Sequence, residues 1–244
     1  DNCTTRLRDI VFNNLDGTVV TKEILPKQGI TFRNLIHGYL NDSHQYWSKL
    51  GIDILLGKPL DKDISNHEAV FLPDYLLKGF DSTTVSGQQL VENKEEILKA
   101  MPAENDSSII TPFIVFAALF ILIAILSFVK GAKKILSIFD FILFFITGVL
   151  GILLLFMWFG TDHPECKKNF NLLWAFPFHF IILFFIYKKR PWVSSYFLGN
   201  SALLFLLLIS WKWLPQEMNN ALIPFVCLLL LRSFVRYKML RYDG

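Results

Sequence analysis

The sequence predicts an α-helical protein in two parts, a helical extramembrane half followed by a five-helix transmembrane bundle. Of the 244 residues, 53% are hydrophobic, 24 are Phe and only 18% are charged, which is not the balance of a soluble domain. The apolar residues gather beyond residue 108 in five runs, 109–129, 135–159, 172–187, 193–211 and 221–235. Residues 1–99 place apolar positions at helical intervals and contain no convincing alternating strand.

A helix needs about 20 residues to cross about 30 Å of hydrocarbon. The first two runs meet that outright. The last three are shorter or interrupted, but Trp174, Tyr187, Trp192, Tyr196, Trp211, Trp213 and Tyr237 stand at their ends. Aromatic rings favour the headgroup boundary and extend the effective span, so a re-entrant hairpin is the less favoured reading of the shorter runs. Residues 100–108, with Pro102 among small polar residues, form the linker, and 109–237 the membrane domain.

Insertion retains Lys and Arg on the cytoplasmic side. Lys130, Lys133, Lys134, Lys188, Lys189, Arg190, Arg232, Arg236, Lys238 and Arg241 share one side, against Lys167, Lys168 and Lys212 on the other. The bias puts residues 1–99 and the loops 160–170 and 213–220 outside, and 238–244 inside as a cytoplasmic tail. No nucleic-acid partner is expected.

In the first half, Cys3, Leu7, Ile10 or Val11, and Leu15 recur at helical spacing until Asp16-Gly17 stops them. Thr31 can cap a second helix whose apolar face is Phe32, Leu35, Ile36, Tyr39 and Leu40. Residues 69–80 predict a third helix, broken near Pro73, and 90–98 a fourth. This half reads as the helical back end of a domain whose sheet lies upstream.

The cysteines, Cys3, Cys166 and Cys227, form no disulfide framework and match no zinc spacing. Cys3 is the chemical candidate. Asp1 or Asn2 can cap the first helix, so Cys3 falls in its first turn, where free backbone N–H groups and the helix dipole favour a thiolate. Arg6 adds positive charge one turn on. A thiolate attacking an ester gives an acyl-enzyme thioester, but it needs a base to take and return protons. His37, His44 and His67 lie in the same half, and nothing marks any of them as the partner. On local sequence alone the plainer reading is a buried helix residue facing Leu7 and Ile10.

Three segments carry a resemblance: Asp1-Asn2-Cys3-Thr4-Thr5-Arg6-Leu7-Arg8-Asp9, then Thr31-Phe32-Arg33, then Phe71-Leu72-Pro73-Asp74. They resemble the later part of the Lnb-type domain of bacterial lipoprotein N-acyltransferases. Residues 161–174 resemble the outward loop of that family's membrane region. The resemblance implies a permuted papain-like α+β thiol domain, of which residues 1–99 would be the helical remainder. It implies Cys3 as the nucleophile, with Asn2, Arg6 and Asp9 shaping the site. It places the histidine in a Gly-His motif upstream of Cys3, so the chain as given is expected to be inactive. The implied reaction moves a fatty acyl group from a membrane phospholipid or lipoprotein donor onto the N-terminal amine of an acceptor lipoprotein. The implied location is the bacterial inner membrane, with the thiol domain periplasmic. No cofactor is implied.

The loop 161–174 is a second candidate. Asp162, His163, Glu165 and Cys166 lie close together, but their spacing fits no common zinc pattern and no metal is expected. The preferred reading is a loop that docks on the thiol domain or touches a lipid head region through Asp162, His163, Lys167, Lys168, Asn171 and Trp174, the two lysines suiting a phosphate or carboxylate. The Phe-rich helices (Phe141, Phe144, Phe145, Phe176, Phe178, Phe180, Phe184, Phe185) could wall an acyl groove, although ordinary packing or lipid contact is the better reading of any single one.

Within the membrane, Asp140 lies near enough to the cytoplasmic end to stay hydrated. His179 and Asn200 could hydrogen-bond across helices, and Gly148 and Gly151 read as close packing. A proton path needs a chain of such groups, which the sequence does not display. Competing functions are an extracytoplasmic thiol hydrolase acting on a peptide or cell-wall amide, a transporter, and a non-enzymatic membrane scaffold. The hydrolase has little need of five helices. The transporter lacks charged midplane residues and inverted repeats.

Overall fold

The computed structural model describes residues 2–98, 110–188 and 190–242. The capping role of Asp1, the linker 100–108 and Lys189 lie outside the described residues. The chain is mostly helical and folds as two compact units, Asp1–Ser43 with Lys62–Asn105, and His44–Asp61 with Asp106–Gly244. Residues 44–61 thus pack with the membrane half, although composition groups them with the first.

The first unit holds α1 (Cys3–Asn13), α2 (Phe32–Asp42), α4 (Asn66–Ala69) and α5 (Pro73–Asp81), and residues of α2, α4 and α5 contribute to or pack against a small apolar core of Ile30, Leu35, Ile64 and Ala69. Each start has a local cause. Asn2, Thr31 and Ser65 close capping boxes with Thr5, Asn34 and Glu68, so two otherwise orphaned N–H groups are satisfied at each end. Pro73 occupies the first turn of α5, where its missing N–H costs nothing. The expected helix over 69–80 is therefore two helices that meet at the residues before Pro73.

Two expectations are corrected here. Residues 90–98 form no helix; Ile97 and Leu98 are exposed and have nothing to pack an apolar face against. The unit also holds a three-stranded antiparallel sheet, β1 (Val19–Thr21), β2 (Thr83–Val85) and β3 (Gln88–Gln89), in the order β1-β2-β3. Val19 pairs with Val85 and Thr21 with Thr83, whose hydroxyls meet at 2.7 Å. The β2–β3 turn is Ser86-Gly87, both at positive φ (50° and 87°), as a tight two-residue hairpin requires. Strands of two or three residues are too short to display alternation.

The second unit opens with α3 (Tyr46–Leu55), a helix the sequence reading passed over, followed by a 3₁₀ turn at Lys58–Asp61. Its apolar helices are α6 (Pro112–Ser127), α7 (Lys133–Phe159), α9 (Pro191–Ser210) and α10 (Ile223–Tyr242). Among the described residues, three segments are long and apolar enough to cross a membrane: Lys130–Phe159, Pro191–Trp213 and Asn220–Arg241. At 16 residues, α6 is shorter.

The run 172–187 is not one helix. It is a 3₁₀ turn at Phe170–Leu173, the five-residue α8 (Phe178–Ile182), and then turns whose N–H groups reach back three residues, as from Phe185 to Ile182. Pro177 removes a donor at the entry to α8. The broken segment lies close on α7 because α7 has no side chain there: a Cβ on Gly148 would stand 2.3 Å from the Phe180 nitrogen, and one on Gly151 2.1 Å from the Ala175 oxygen.

Two polar groupings sit inside this unit. The His179 ring lies 3.3 Å from Asn200 Oδ1 on one side and 3.0 Å from the Thr147 hydroxyl on the other. The expected His179–Asn200 pair is thus present, and Asn200 Nδ2 donates to the Ser233 hydroxyl at 2.8 Å, so α7, α8, α9 and α10 share a four-residue polar chain whose outer members, Thr147 and Ser233, the sequence reading did not name. Asp140 is not hydrated. It is fully buried and accepts from Arg232 Nε at 2.6 Å, from Arg232 Nη2 at 2.9 Å and from Arg236 Nε. Arg232 and Arg236, counted among the basic residues of one side, are likewise buried.

Candidate functional site

The N-terminus of α1 is built by its own cap. Asn2 Oδ1 accepts from the Thr5 N–H at 2.9 Å, and Asn2 Nδ2 donates 2.9 Å to the carbonyl of Phe71. That bond ties the start of α1 to the turn before α5. Phe71 packs edge-on to Phe32 with ring centres 5.2 Å apart, and Tyr39 donates its hydroxyl to Asp74 at 2.6 Å. Segments containing Asn2, Phe32, Phe71 and Asp74, distant in sequence, therefore meet in one unit. Burial, and then the hydrogen bond to Asp74, hold the Tyr39 hydroxyl above the ordinary phenol range.

Cys3 is the first residue of α1, and it is exposed. The helix does not turn the Cys3–Leu7–Ile10 stripe inward: Leu7 is 49% exposed and Ile10 63%. The buried-cysteine reading is thus corrected. The residue that α1 buries is Arg8. Its Nη1 donates to the His67 carbonyl at 2.8 Å and lies 3.3 Å from His67 Nδ1, while its Nε donates to Asp9 at 2.7 Å. Phe12 packs edge-on to Phe80 on the same side. Sequence reasoning missed Arg8 as the buried residue of α1 and His67 as its partner. A helical count that allowed the long apolar stem of an arginine on the inner face, with Thr4, Val11 and Phe12, would have found that face.

Asp9 is therefore held by Arg8. Arg6 stands exposed one turn from Cys3. Among the described residues, the Cys3 thiol has no hydrogen-bond partner and no histidine is bonded to it. His67, in the same unit, is committed to Arg8. A cavity of about 140 Å³ lies beneath α1 between Arg8, Phe12, His67 and Phe80.

The loop 160–174 divides its candidates. Asp162, His163, Lys167 and Lys168 are exposed, whereas Asn171 and Trp174 are buried. Asn171 Nδ2 donates to the Asp53 carbonyl at 2.8 Å and to the Ile54 carbonyl at 3.2 Å, and its Oδ1 accepts from the Trp174 indole at 2.9 Å. Asn169 donates to the Ile54 and Leu55 carbonyls, Gln216 to the Leu56 carbonyl, and Asn219 to Asp53 Oδ2. These amides saturate the C-terminal carbonyls of α3 that the helix leaves orphaned. Gly57 completes the joint: its N–H donates to the Glu165 carbonyl at 2.8 Å, and a Cβ there would stand 2.1 Å from the Lys167 oxygen. Lys168 adopts a positive φ of 52° to make the turn. Asn169, Gln216, Asn219 and Gly57 carried no signal in sequence, because amide residues in loops are too common to single out.

Cys166 is buried in this loop, and burial together with the neighbouring Glu165 charge raises its thiol pKa. Among the described residues, no three His, Cys, Asp or Glu side chains converge as a metal site. The phenylalanines divide between the interior and the outer face, where Phe180 meets both Phe145 and Phe184. Phe144 is buried against His179 and Phe197, while Phe141, Phe145, Phe178 and Phe184 face outward.

Apolar helices of this length, carried on the same chain as an exposed helix-terminal thiol, define a membrane protein with an extramembrane unit. The Lnb transmembrane domain matches residues 104–243, more than half of the chain, and the protein belongs to the Lnb family. No curated protein and no solved structure matches it.

Proposed function

We propose that this protein is a membrane-bound acyltransferase that moves a fatty acyl group through a Cys3 thioester onto the N-terminal amine of bacterial lipoproteins. One observation carries the reading. Of the three free thiols, Cys3 alone is exposed, and it stands at a capped helix N-terminus beside an open apolar stripe of Leu7 and Ile10. Family membership supports the membrane setting and the reaction class.

In the first half-reaction the thiolate of Cys3 attacks the ester carbonyl of the donor lipid. The ester C–O bond breaks, and the leaving alkoxide takes the proton that the thiol gave up. In the second, the acceptor amine attacks the thioester carbonyl, the C–S bond breaks, the thiolate is restored and the amine proton is released. Free N–H groups at the start of α1 and the Arg6 charge favour the thiolate on both occasions. The general base is the histidine that the family resemblance implies. Asn2, Arg6 and Asp9 shape the site, with Arg8 fixing Asp9 from beneath. Five spans, a periplasmic thiol unit and a cytoplasmic C-terminus in the inner membrane complete the proposal, and donor and acceptor are both lipids anchored in that membrane.

The test is Cys3→Ala in the full-length protein, in cells without a paralogue, with mass spectrometry of lipoprotein N-termini. N-acylation should be lost, and wild-type protein should yield a hydroxylamine-labile acyl adduct on Cys3. Persistent N-acylation in the variant sinks the thiol mechanism. An adduct without N-acylated lipoproteins would favour a thiol hydrolase.

A further inference from the structure

We propose that the pocket between α6, α7 and α10 binds a phosphate anion, which the headgroup of an acidic phospholipid can supply. The pocket, of about 200 Å³, is lined by Ser127, Lys130, Lys133, Asp140, Arg232 and Arg236 among others, so four cations face one carboxylate. Asp140 serves both arginines. Arg232 holds it with two hydrogen bonds and spends Nη1 on the Ser127 hydroxyl at 2.9 Å, while Arg236 adds Nε and sends Nη2 to Ser137. Asp140, Arg232 and Arg236 are each at most 4% exposed, so this trio buries one positive charge more than it neutralises. An uncompensated charge taken out of water is costly, and a cavity beside it points to an anion that completes the balance.

A second observation points the same way. The pocket includes the start of the 27-residue α7, which a 3₁₀ turn at Lys130–Ala132 enters without a break and whose first turn holds no acidic residue. Lys133 and Lys134 stand there instead, against the preference of a helix N-terminus for negative charge. Lysines and guanidinium groups together form an anion cradle. Among the described residues, neither Lys130 nor Lys133 makes an ion pair, and both are exposed. Basic pockets between membrane helices at the interface suit acidic headgroups. The site shares no residue with the Cys3 region and is independent of the acyl-transfer reading.

The test uses the full chain in uncharged detergent, with native mass spectrometry and thermal unfolding. Phosphatidylglycerol, phosphatidylcholine and inorganic phosphate are added at matched ionic strength. Phosphatidylglycerol should bind in preference to phosphatidylcholine and raise the unfolding midpoint. The Lys130→Gln/Lys133→Gln double variant, altered only at exposed positions, should keep its circular dichroism and bind about tenfold more weakly or worse. Inorganic phosphate that matches phosphatidylglycerol supports the anion site and assigns it to a soluble phosphate. Unchanged phosphatidylglycerol binding in the double variant, equal binding of phosphatidylcholine, or no response to either phosphate source overturns the proposal.

Discussion

The side-chain amide of Asn171 donates to the backbone carbonyl of Asp53 at 2.8 Å, across 118 positions of sequence. The same side chain accepts from the Trp174 indole, so a single residue satisfies the end of α3 and an aromatic anchor together. Asn171→Ala leaves the Asp53 carbonyl and the Trp174 indole N–H without their side-chain partner, each costing about 1–3 kcal/mol. Its unfolding midpoint should fall by several degrees. Asn171→Asp keeps the acceptor for Trp174 but loses both donors, and should fall as well. Asp162→Ala, at an exposed loop position, should melt with the wild type. Thermal circular dichroism in one detergent decides, and an unshifted Asn171→Ala would remove this joint from the account of stability.

Thiol labelling separates the two extramembrane cysteines. With iodoacetamide at about pH 8, Cys3 should alkylate readily because it is exposed, whereas Cys166 should resist because it is buried and its pKa is raised. Raising the pH through the elevated Cys166 value should increase its labelling only as far as the buried site opens. Peptide mass spectrometry reads both sites. Equal labelling of Cys166 at neutral pH would contradict its packing in the loop.

Two glycines of the membrane helices should respond in opposite directions to alanine. At Gly151 the added methyl would meet backbone 2.1 Å away, which cannot yield as a side chain end can. Gly151→Ala should lose about 1–3 kcal/mol or force α7 away from the following segment. Gly199 on α9 has open space where its Cβ would lie. Gly199→Ala should therefore be neutral or stabilising by about 0.5–1 kcal/mol, since alanine favours the helix. Unfolding in a denaturing detergent series compares the two.

Acid should act on α4 through Glu68. Its carboxylate accepts from the Ser65 N–H at 2.9 Å and from the Ser65 hydroxyl, with Lys62 at 3.4 Å, and the backbone hydrogen bond is the main cause of its lowered pKa. A carboxyl whose folded pKa is depressed contributes stability above its unfolded value and loses it as pH falls through the folded one. The group is partly exposed, so the effect should not exceed about 1 kcal/mol. Glu68→Gln keeps an acceptor for the cap and removes the titration. It should flatten that part of the acid limb of the stability curve, and an unchanged acid limb would show that the charge contributes nothing.

Caps were legible in the sequence because they are local. Asn2 and Thr31 declare α1 and α2 within four residues, and the apolar runs declare α6, α7, α9 and α10. What escaped depends on distant partners. Asp140 reads as a hydrated acid until Arg232, 92 positions on, is brought to it. The inner face of α1 is hidden because its central residue is an arginine, whose role depends on His67. The strands were invisible because three residues cannot show a period. The run 172–187 was legible as short, but hydropathy does not register how Pro177 and the close approach to Gly151 divide it. For the candidate site, the position of Cys3 at a helix start was legible, but its exposure was not.

The return of residues 44–61 to the membrane half bears on how the protein can be taken apart. Chain order suggests a single cut at the polar linker, yet the compact units are joined at 43–44, 61–62 and 105–106. A membrane portion expressed from residue 106 would leave Asn169, Asn171, Gln216 and Asn219 with empty hands, their partners gone with the discarded piece. An excised first portion would carry α3 as a stray helix. Separable halves would have to be made by circular rearrangement that keeps α3 with the loops it closes, not by truncation.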